Sequence, residues 1–310
     1  MALKFIVDSS IGISQAEALK KGLYFVPLAI TIGGKTYTEG VDITADEFYK
    51  LIDNGPLPKT SQPSPQLYVD AFNDATKNGD DVLLLSISSK VSGAFQAANL
   101  AKTMCEHPEH VYLLDTLSFF GGIQILLEEA EAHSDLPLAD LMEYLEDLKG
   151  KLRVYAGMDT LTYVYKGGRL SKFNLALGIF LHFKPIGQLE EGVVCLAGKA
   201  LGTKNAMKFV IEKTKESPID FSYPCYLLYS SDKSILDRFS SEFFYPEYKD
   251  QKDLPIIQID PLIGSHIGPL VYGVFYVSKE KDETTEKKSF FKRIHEGIQN
   301  KLHREKKDKE

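Results

Sequence analysis

Two clusters of hydroxyls in this chain stand where a helix is about to begin. In Lys59-Thr60-Ser61-Gln62-Pro63-Ser64-Pro65, Ser64 and Pro65 form an N-cap and first-position pair, so Thr60 to Gln62 fall in the loop leading into that helix. In the second cluster the apolar run Val82 to Leu85 passes through Ser86 and Ile87 into Ser88, Ser89, Ser92 and Gly93 before a helical pattern starts. A buried strand ending in hydroxyls at a helix N-terminus suits an anion, because unpaired N–H groups and the positive dipole end point outward there. Arg169 and His266, from the second half of the chain, supply a cation and an imidazole. Hydroxyls, amides, a guanidinium and an imidazole together suit a carboxylate. Ser92 is also an ordinary helix cap, Thr60 an ordinary turn residue before Pro63, and His266 an ordinary loop histidine.

Other chemistries lack their residues. No GxSxG elbow surrounds Ser92, which lies in Lys90-Val91-Ser92-Gly93-Ala94, so a serine esterase or acyltransferase using Ser92 and His266 stands as the alternative. Neither GxxxxGK[ST] nor GxGxxG follows a strand. Asp8-Ser9-Ser10 ends the first strand where an aspartyl-phosphate enzyme keeps its nucleophile, but Ser10 replaces the second carboxylate that magnesium needs. The seven histidines show no HExxH spacing, and Cys105, Cys195 and Cys225 are too far apart for a CxxC site, so no metal or other cofactor is expected and the thiols are expected to be reduced. A net charge of −7 argues against nucleic acid. With 44% hydrophobic and 25% charged residues, no membrane-length apolar run and no signal-peptide pattern after Met1, a cytoplasmic globular protein is expected.

The elements that position these residues alternate strand and helix. Strands are expected at Leu3 to Val7, Phe25 to Ile32, Val82 to Ile87 and Val111 to Leu114. Capping boxes at Ser14/Glu17 and Thr44/Glu47 start two helices, and others cover Pro65 to about Ala75 and Leu138 to Leu148. That order predicts an α/β fold with a mostly parallel sheet over residues 1–151. From Leu152 a second α/β unit runs to residue 279. It has a strand at Leu152 to Ala156, an apolar helix at Lys172 to Phe183, a hairpin at Glu190-Glu191-Gly192 and a helix from about Thr203 to Lys215. The loop Gly264 to Pro269 precedes its final strand. Residues 280–310 form a charged tail in which Phe290, Phe291, Ile294, Ile298 and Leu302 recur at helical spacing among lysines. Such a helix docks on protein or makes transient contact with a membrane surface.

Several of these stretches together resemble the DegV family of fatty-acid-binding proteins. They are Asp8-Ser9-Ser10, Val26-Pro27-Leu28, Thr60-Ser61-Gln62-Pro63-Ser64, Ser88-Ser89 with Ser92-Gly93, Asp115, Lys166-Gly167-Gly168-Arg169, and Gly264 to Gly273. The resemblance implies two α/β domains with a ligand tunnel between and within them. It implies that Thr60, Ser61, Ser92, Gly93 and His266 hold the carboxylate of a long-chain fatty acid, with Arg169 and Ser89 in support. It further implies a lipid-binding subunit without catalysis of its own, which presents the carboxylate to a separate fatty acid kinase for acyl phosphate formation. Leu201 departs from the K-x-R pattern that faces the kinase, since Lys199-Ala200-Leu201 lacks its second charge and Lys204 is the nearest substitute. Phe95, Ile123, Leu161, Leu177, Phe180 and Leu181 are candidates to line the tunnel.

Overall fold

The computed structural model describes residues 3–169 and 183–280. Its first half runs β1 (Leu3–Asp8), α1 (Gln15–Lys20), β2 (Tyr24–Val26), β3 (Ala29–Ile32), β4 (Lys35–Thr38), α2 (Ala45–Ile52), β5 (Lys59–Ser61), α3 (Pro65–Thr76), β6 (Asp81–Ser86), α4 (Ala94–Met104), β7 (Val111–Asp115), α5 (Gly121–Ala132) and α6 (Leu138–Lys149). The second half continues with β8 (Leu152–Gly157), α7 (Thr162–Lys166), β9 (Phe183–Glu190), β10 (Val193–Leu201), α8 (Gly202–Glu216), β11 (Tyr226–Tyr229), α9 (Lys233–Phe239), α10 (Tyr245–Glu247), β12 (Ile256–Gln258), α11 (Pro261–Ile267) and β13 (Tyr272–Val277).

A parallel sheet in the order β2-β1-β6-β7 forms the centre of the first half. Ile6, Val7 and Val82 to Leu85 have no exposed surface, as expected of strands covered by helices on both faces. Both capping boxes form: Ser14 N donates to Glu17 Oε2 at 2.8 Å and Thr44 N to Glu47 Oε2 at 2.9 Å. On α6, Leu141, Leu145 and Leu148 make the i, i+4, i+7 stripe that buries the helix.

The single strand expected over Phe25 to Ile32 is two strands in two sheets. Pro27 has no N–H to continue a ladder, and Leu28 N donates to Ser9 Oγ at 3.0 Å instead. The chain therefore leaves the parallel sheet after β2 and enters a second, antiparallel sheet, β4-β3-β5. Its third strand, Lys59–Ser61, takes Thr60 and Ser61 out of the loop expected over Thr60 to Gln62.

The six-stranded sheet β10-β9-β8-β13-β11-β12 is antiparallel except at β11–β12. The hairpin turns at Glu191 (φ 49°) and Gly192 (φ 82°), the paired positive φ of a type I′ turn. Gly192 O accepts from Ser88 Oγ at 2.6 Å, so the hairpin tip is pinned to the loop after β6. Between the sheets, Ile123 and Leu126 of α5 share one core with Leu83 and Leu85 of β6 and with Phe275 and Val277 of β13. The apolar helix expected over Lys172 to Phe183 falls largely outside the described residues, and Phe183 itself opens β9. The tail helix also falls outside them. Among the described residues no helix is long and apolar enough to cross a membrane.

Candidate ligand-binding site

Four distant stretches build the polar end of one cavity. Thr60 is the central residue of β5, paired with Ile30 of β3, and strand alternation turns it inward while Lys59 and Ser61 stay exposed. His266 sits on the last turn of α11, a helix where the sequence suggested a loop. Asp260 caps that helix, its Oδ1 accepting from Ile263 N at 2.8 Å. Thr60 Oγ1 and His266 Nε2 lie 2.8 Å apart, joining the two halves of the chain.

Burial first, and the nearby Arg169 guanidinium second, hold the His266 imidazole down to about 4, so it is neutral at neutral pH. Its Nδ1 is buried and has no hydrogen-bond partner among the described residues. The tautomer protonated at Nε2 is the one that avoids stranding an N–H at Nδ1. Nε2–H then donates to Thr60 Oγ1, and the Thr60 hydroxyl proton is free for an acceptor in the cavity.

Ser92 Oγ accepts from Ala94 N at 3.2 Å at the start of α4, where Gly93 occupies the cap position. Any β-carbon on Gly93 would run into the side-chain amide of Gln62, so the two hydroxyl clusters meet at this glycine. Arg169, just beyond α7, donates to Gly167 O at 2.6 Å and to Val91 O at 3.4 Å. The cavity has a volume of about 340 Å³, within the range of small-molecule sites. Thr60, Ser61, Gln62, Ser92, Gly93, Arg169 and His266 line it together with Leu28, Ile87, Val91 and Leu262.

Ser89 is not among the lining residues; its backbone N–H donates to Asp115 Oδ1 at 3.1 Å, so it fixes the loop instead. The esterase pairing is not formed either, since the imidazole bonds Thr60 and not Ser92. Phe95 does not line the cavity, Ile123 and Leu161 belong to the core, and Leu177, Phe180 and Leu181 lie outside the described residues. In their place stand Leu28, Ile87, Phe119, Val194 and Ile263, which nothing in the sequence pattern separates from ordinary core.

Asp8 is no nucleophile in waiting. Its buried carboxylate accepts from Ser10 N (3.2 Å), Ser10 Oγ, Ser86 Oγ (2.9 Å) and Ile87 N (2.9 Å), tying the ends of β1 and β6. Two further acids lie buried behind the site, Glu39 (2% exposed) and Asp260 (5%). Burial and the Asp260 charge push Glu39 well above the usual carboxylate range, and burial pushes Asp260 up to about 7. Among the described residues no group of His, Cys, Asp and Glu is arranged to hold a metal, and Cys105, Cys195 and Cys225 form no disulfide.

Comparison with known proteins gives a consistent result. A family model described as "Uncharacterised protein, DegV family" matches residues 2–279. A DegV domain-containing protein of Caldanaerobacter subterraneus subsp. tengcongensis is 31% identical over 284 residues, covering 89% of this chain and 99% of that one. A solved structure described as fatty acid binding of a DegV family protein from Thermus thermophilus has a TM-score of 0.79 at 28% identity, covering 90% of this chain and 100% of that one. A fatty acid binding DegV family protein from Streptococcus agalactiae has a TM-score of 0.78 at 26% identity, with 90% and 100% covered. The chain, from residue 2 to residue 279, belongs to the DegV family.

Proposed function

We propose that this protein is a cytoplasmic carrier that buries the acyl chain of a long-chain fatty acid and presents its carboxylate to a separate fatty acid kinase. The observation that carries this reading is the hydrogen-bonded Thr60–His266 pair, which with Ser61, Gln62, Ser92 and Arg169 makes the polar head of a cavity otherwise walled by apolar side chains. The relatives from Thermus thermophilus and Streptococcus agalactiae, both described as binding fatty acids, support it.

The energetics agree. Burying methylenes gains about 0.8 kcal/mol each, so a sixteen-carbon chain offers about 10 kcal/mol before the costs of association. The head need only orient and satisfy the carboxylate. Thr60 Oγ1 donates one hydrogen bond, Ser92 Oγ a second, Ser61 and the Gly93 backbone lie alongside, and Arg169 supplies positive charge. Because His266 is neutral, the carboxylate is not locked to an imidazolium and keeps its charge for attack on a phosphoryl group. The sequence has neither GxxxxGK[ST] nor GxGxxG after a strand, which supports assigning activation of the phosphoryl donor to the partner. Leu201, 58% exposed at the end of β10, and Lys199, whose Nζ lies 5.0 Å from the Phe183 ring centroid, leave that end of the β9–β10 hairpin less basic than the K-x-R pattern.

Mass spectrometry of small molecules extracted from freshly purified protein tests the reading. The expected result is a near-stoichiometric long-chain fatty acid and, after delipidation, its uptake again. An empty extract with no uptake of any fatty acid overturns the carrier. Absence of acyl phosphate when loaded protein is mixed with a bacterial fatty acid kinase subunit and ATP overturns the presentation step alone.

A further inference from the structure

The cavity continues beyond its polar head. A second, smaller cavity of about 50 Å³ lies deeper, with Val154, Met158, Leu228, Val271 and Phe275 in its wall. Four residues line both cavities: Phe119, Val194, Ile263 and Ile267. They form the neck between the two. Val194 is fixed on β10, and Ile263 and Ile267 are fixed on α11. Phe119 is the largest of the four, and it alone sits on a loop, the link between β7 and α5.

That loop is strained on both sides of Phe119. Leu117 has φ 47°, and Phe120 has φ 50° with ψ −123°, a combination that glycine adopts freely and a bulky side chain does not. Hydrogen bonds hold the conformation: Leu117 N to Asp115 Oδ1 (3.2 Å), Ser88 N to Ser118 O (2.8 Å) and Phe120 N to Ser10 O (2.7 Å). The Phe119 ring meets Phe275 edge-on, with centroids 6.2 Å apart at 89°. Strain of this kind persists only where the surroundings over-determine it, and it gathers at ligand clamps. As held, the backbone is fixed and the side-chain torsions of Phe119 are its remaining freedom.

Resting on the fatty-acid reading of the head, we infer that Phe119 is the specificity-determining residue for acyl chain length. A chain that ends within the upper cavity does not have to pass the ring. A longer one threads past the ring edge into the lower cavity, where Met158 and Phe275 stand among the walls. Affinity then rises by about fourfold per added methylene while apolar wall is available and stops rising at a chain length set by the neck.

The test is competition binding of straight saturated fatty acids of ten to twenty carbons to delipidated full-length protein, wild type against Phe119→Ala, Phe119→Leu and Phe119→Trp. The expected result is a break in the affinity series that moves to longer chains by at least two carbons in Phe119→Ala and Phe119→Leu. In Phe119→Trp it moves to shorter chains by a similar amount. Should Phe119→Ala fail to fold, the conservative Leu and Trp variants carry the comparison. An unmoved break in variants that melt as the wild type does overturns the gauge while leaving the carrier standing. Failure of the wild type to bind any of the acids overturns the carrier and the gauge with it.

Discussion

Replacing Thr60 by valine keeps the shape of the side chain and removes one hydroxyl, and the structure separates its two consequences. In the free protein the lost partner is His266 Nε2, 2.8 Å away. Stranding a buried imidazole N–H costs about 1–3 kcal/mol, and the half-buried position of Thr60 puts this site near the lower end. A loss of about 1 kcal/mol lowers the melting temperature by roughly 1–2 °C in a chain of 310 residues. In the complex the loss is a hydrogen bond to a charged carboxylate, about 1.5–3 kcal/mol, or on the order of 10–100-fold in Kd. Differential scanning calorimetry reads the first and titration of delipidated protein with palmitate reads the second. Titration should also show the pH signature of a neutral head. The His266 pKa is held down, so its protonation favours the unfolded chain. Its contribution is present above the unfolded value of 6.5 and is lost as pH falls toward about 4, by no more than about 3 kcal/mol. Affinity should therefore show no imidazole titration between pH 6 and 8. A Thr60→Val protein that melts lower yet binds palmitate within twofold of the wild type refutes the hydroxyl as a carboxylate donor. One that melts unchanged refutes the Thr60–His266 bond itself.

Two other predictions concern Asp260 and Gly192. Asp260 is pushed up to about 7, so the native state binds its proton more tightly than the unfolded chain does, and stability is lost as pH rises from the unfolded value near 3.8 through about 7. Asp260→Asn keeps an N-cap acceptor without the charge, and denaturant unfolding should find it more stable relative to wild type at pH 8 than at pH 5; an equal difference at both values would show that the carboxyl is ionised in both states. Gly192→Ala should destabilise by roughly 2 kcal/mol or more, because φ is 82° and the new β-carbon would lie 2.6 Å from Ser88 Oγ. Wild-type unfolding of that variant would mean the hairpin tip is not seated on the loop after β6.

The sequence by itself determined what local chemistry can specify. Capping boxes at Ser14 and Thr44, the leucine stripe of α6, the Glu191-Gly192 turn and the apolar runs within β1 and β6 are each encoded within a few residues of themselves, and they suffice for an α/β class. Hydroxyls gathered at helix starts, and then family likeness, drew attention to Thr60, Ser61, Ser92, Gly93, Arg169 and His266, all of which the structure gathers around one cavity. Ser89 shared their pattern and was placed elsewhere, because its own N–H was claimed by Asp115.

Tertiary structure alone decided the rest. Whether Thr60 stood in a loop or a strand depended on β3, which was free to pair with it only because Pro27 broke the run from β2. The neutrality of His266 arises from burial and from Arg169, 97 positions away in sequence, and the buried acids Glu39 and Asp260 came together from distant turns. The lining of the cavity was invisible for a different reason. Ile87, Phe119, Val194 and Ile263 have the same composition as the core beside them, and a residue type reports that a side chain avoids water without saying whether protein or ligand will cover it.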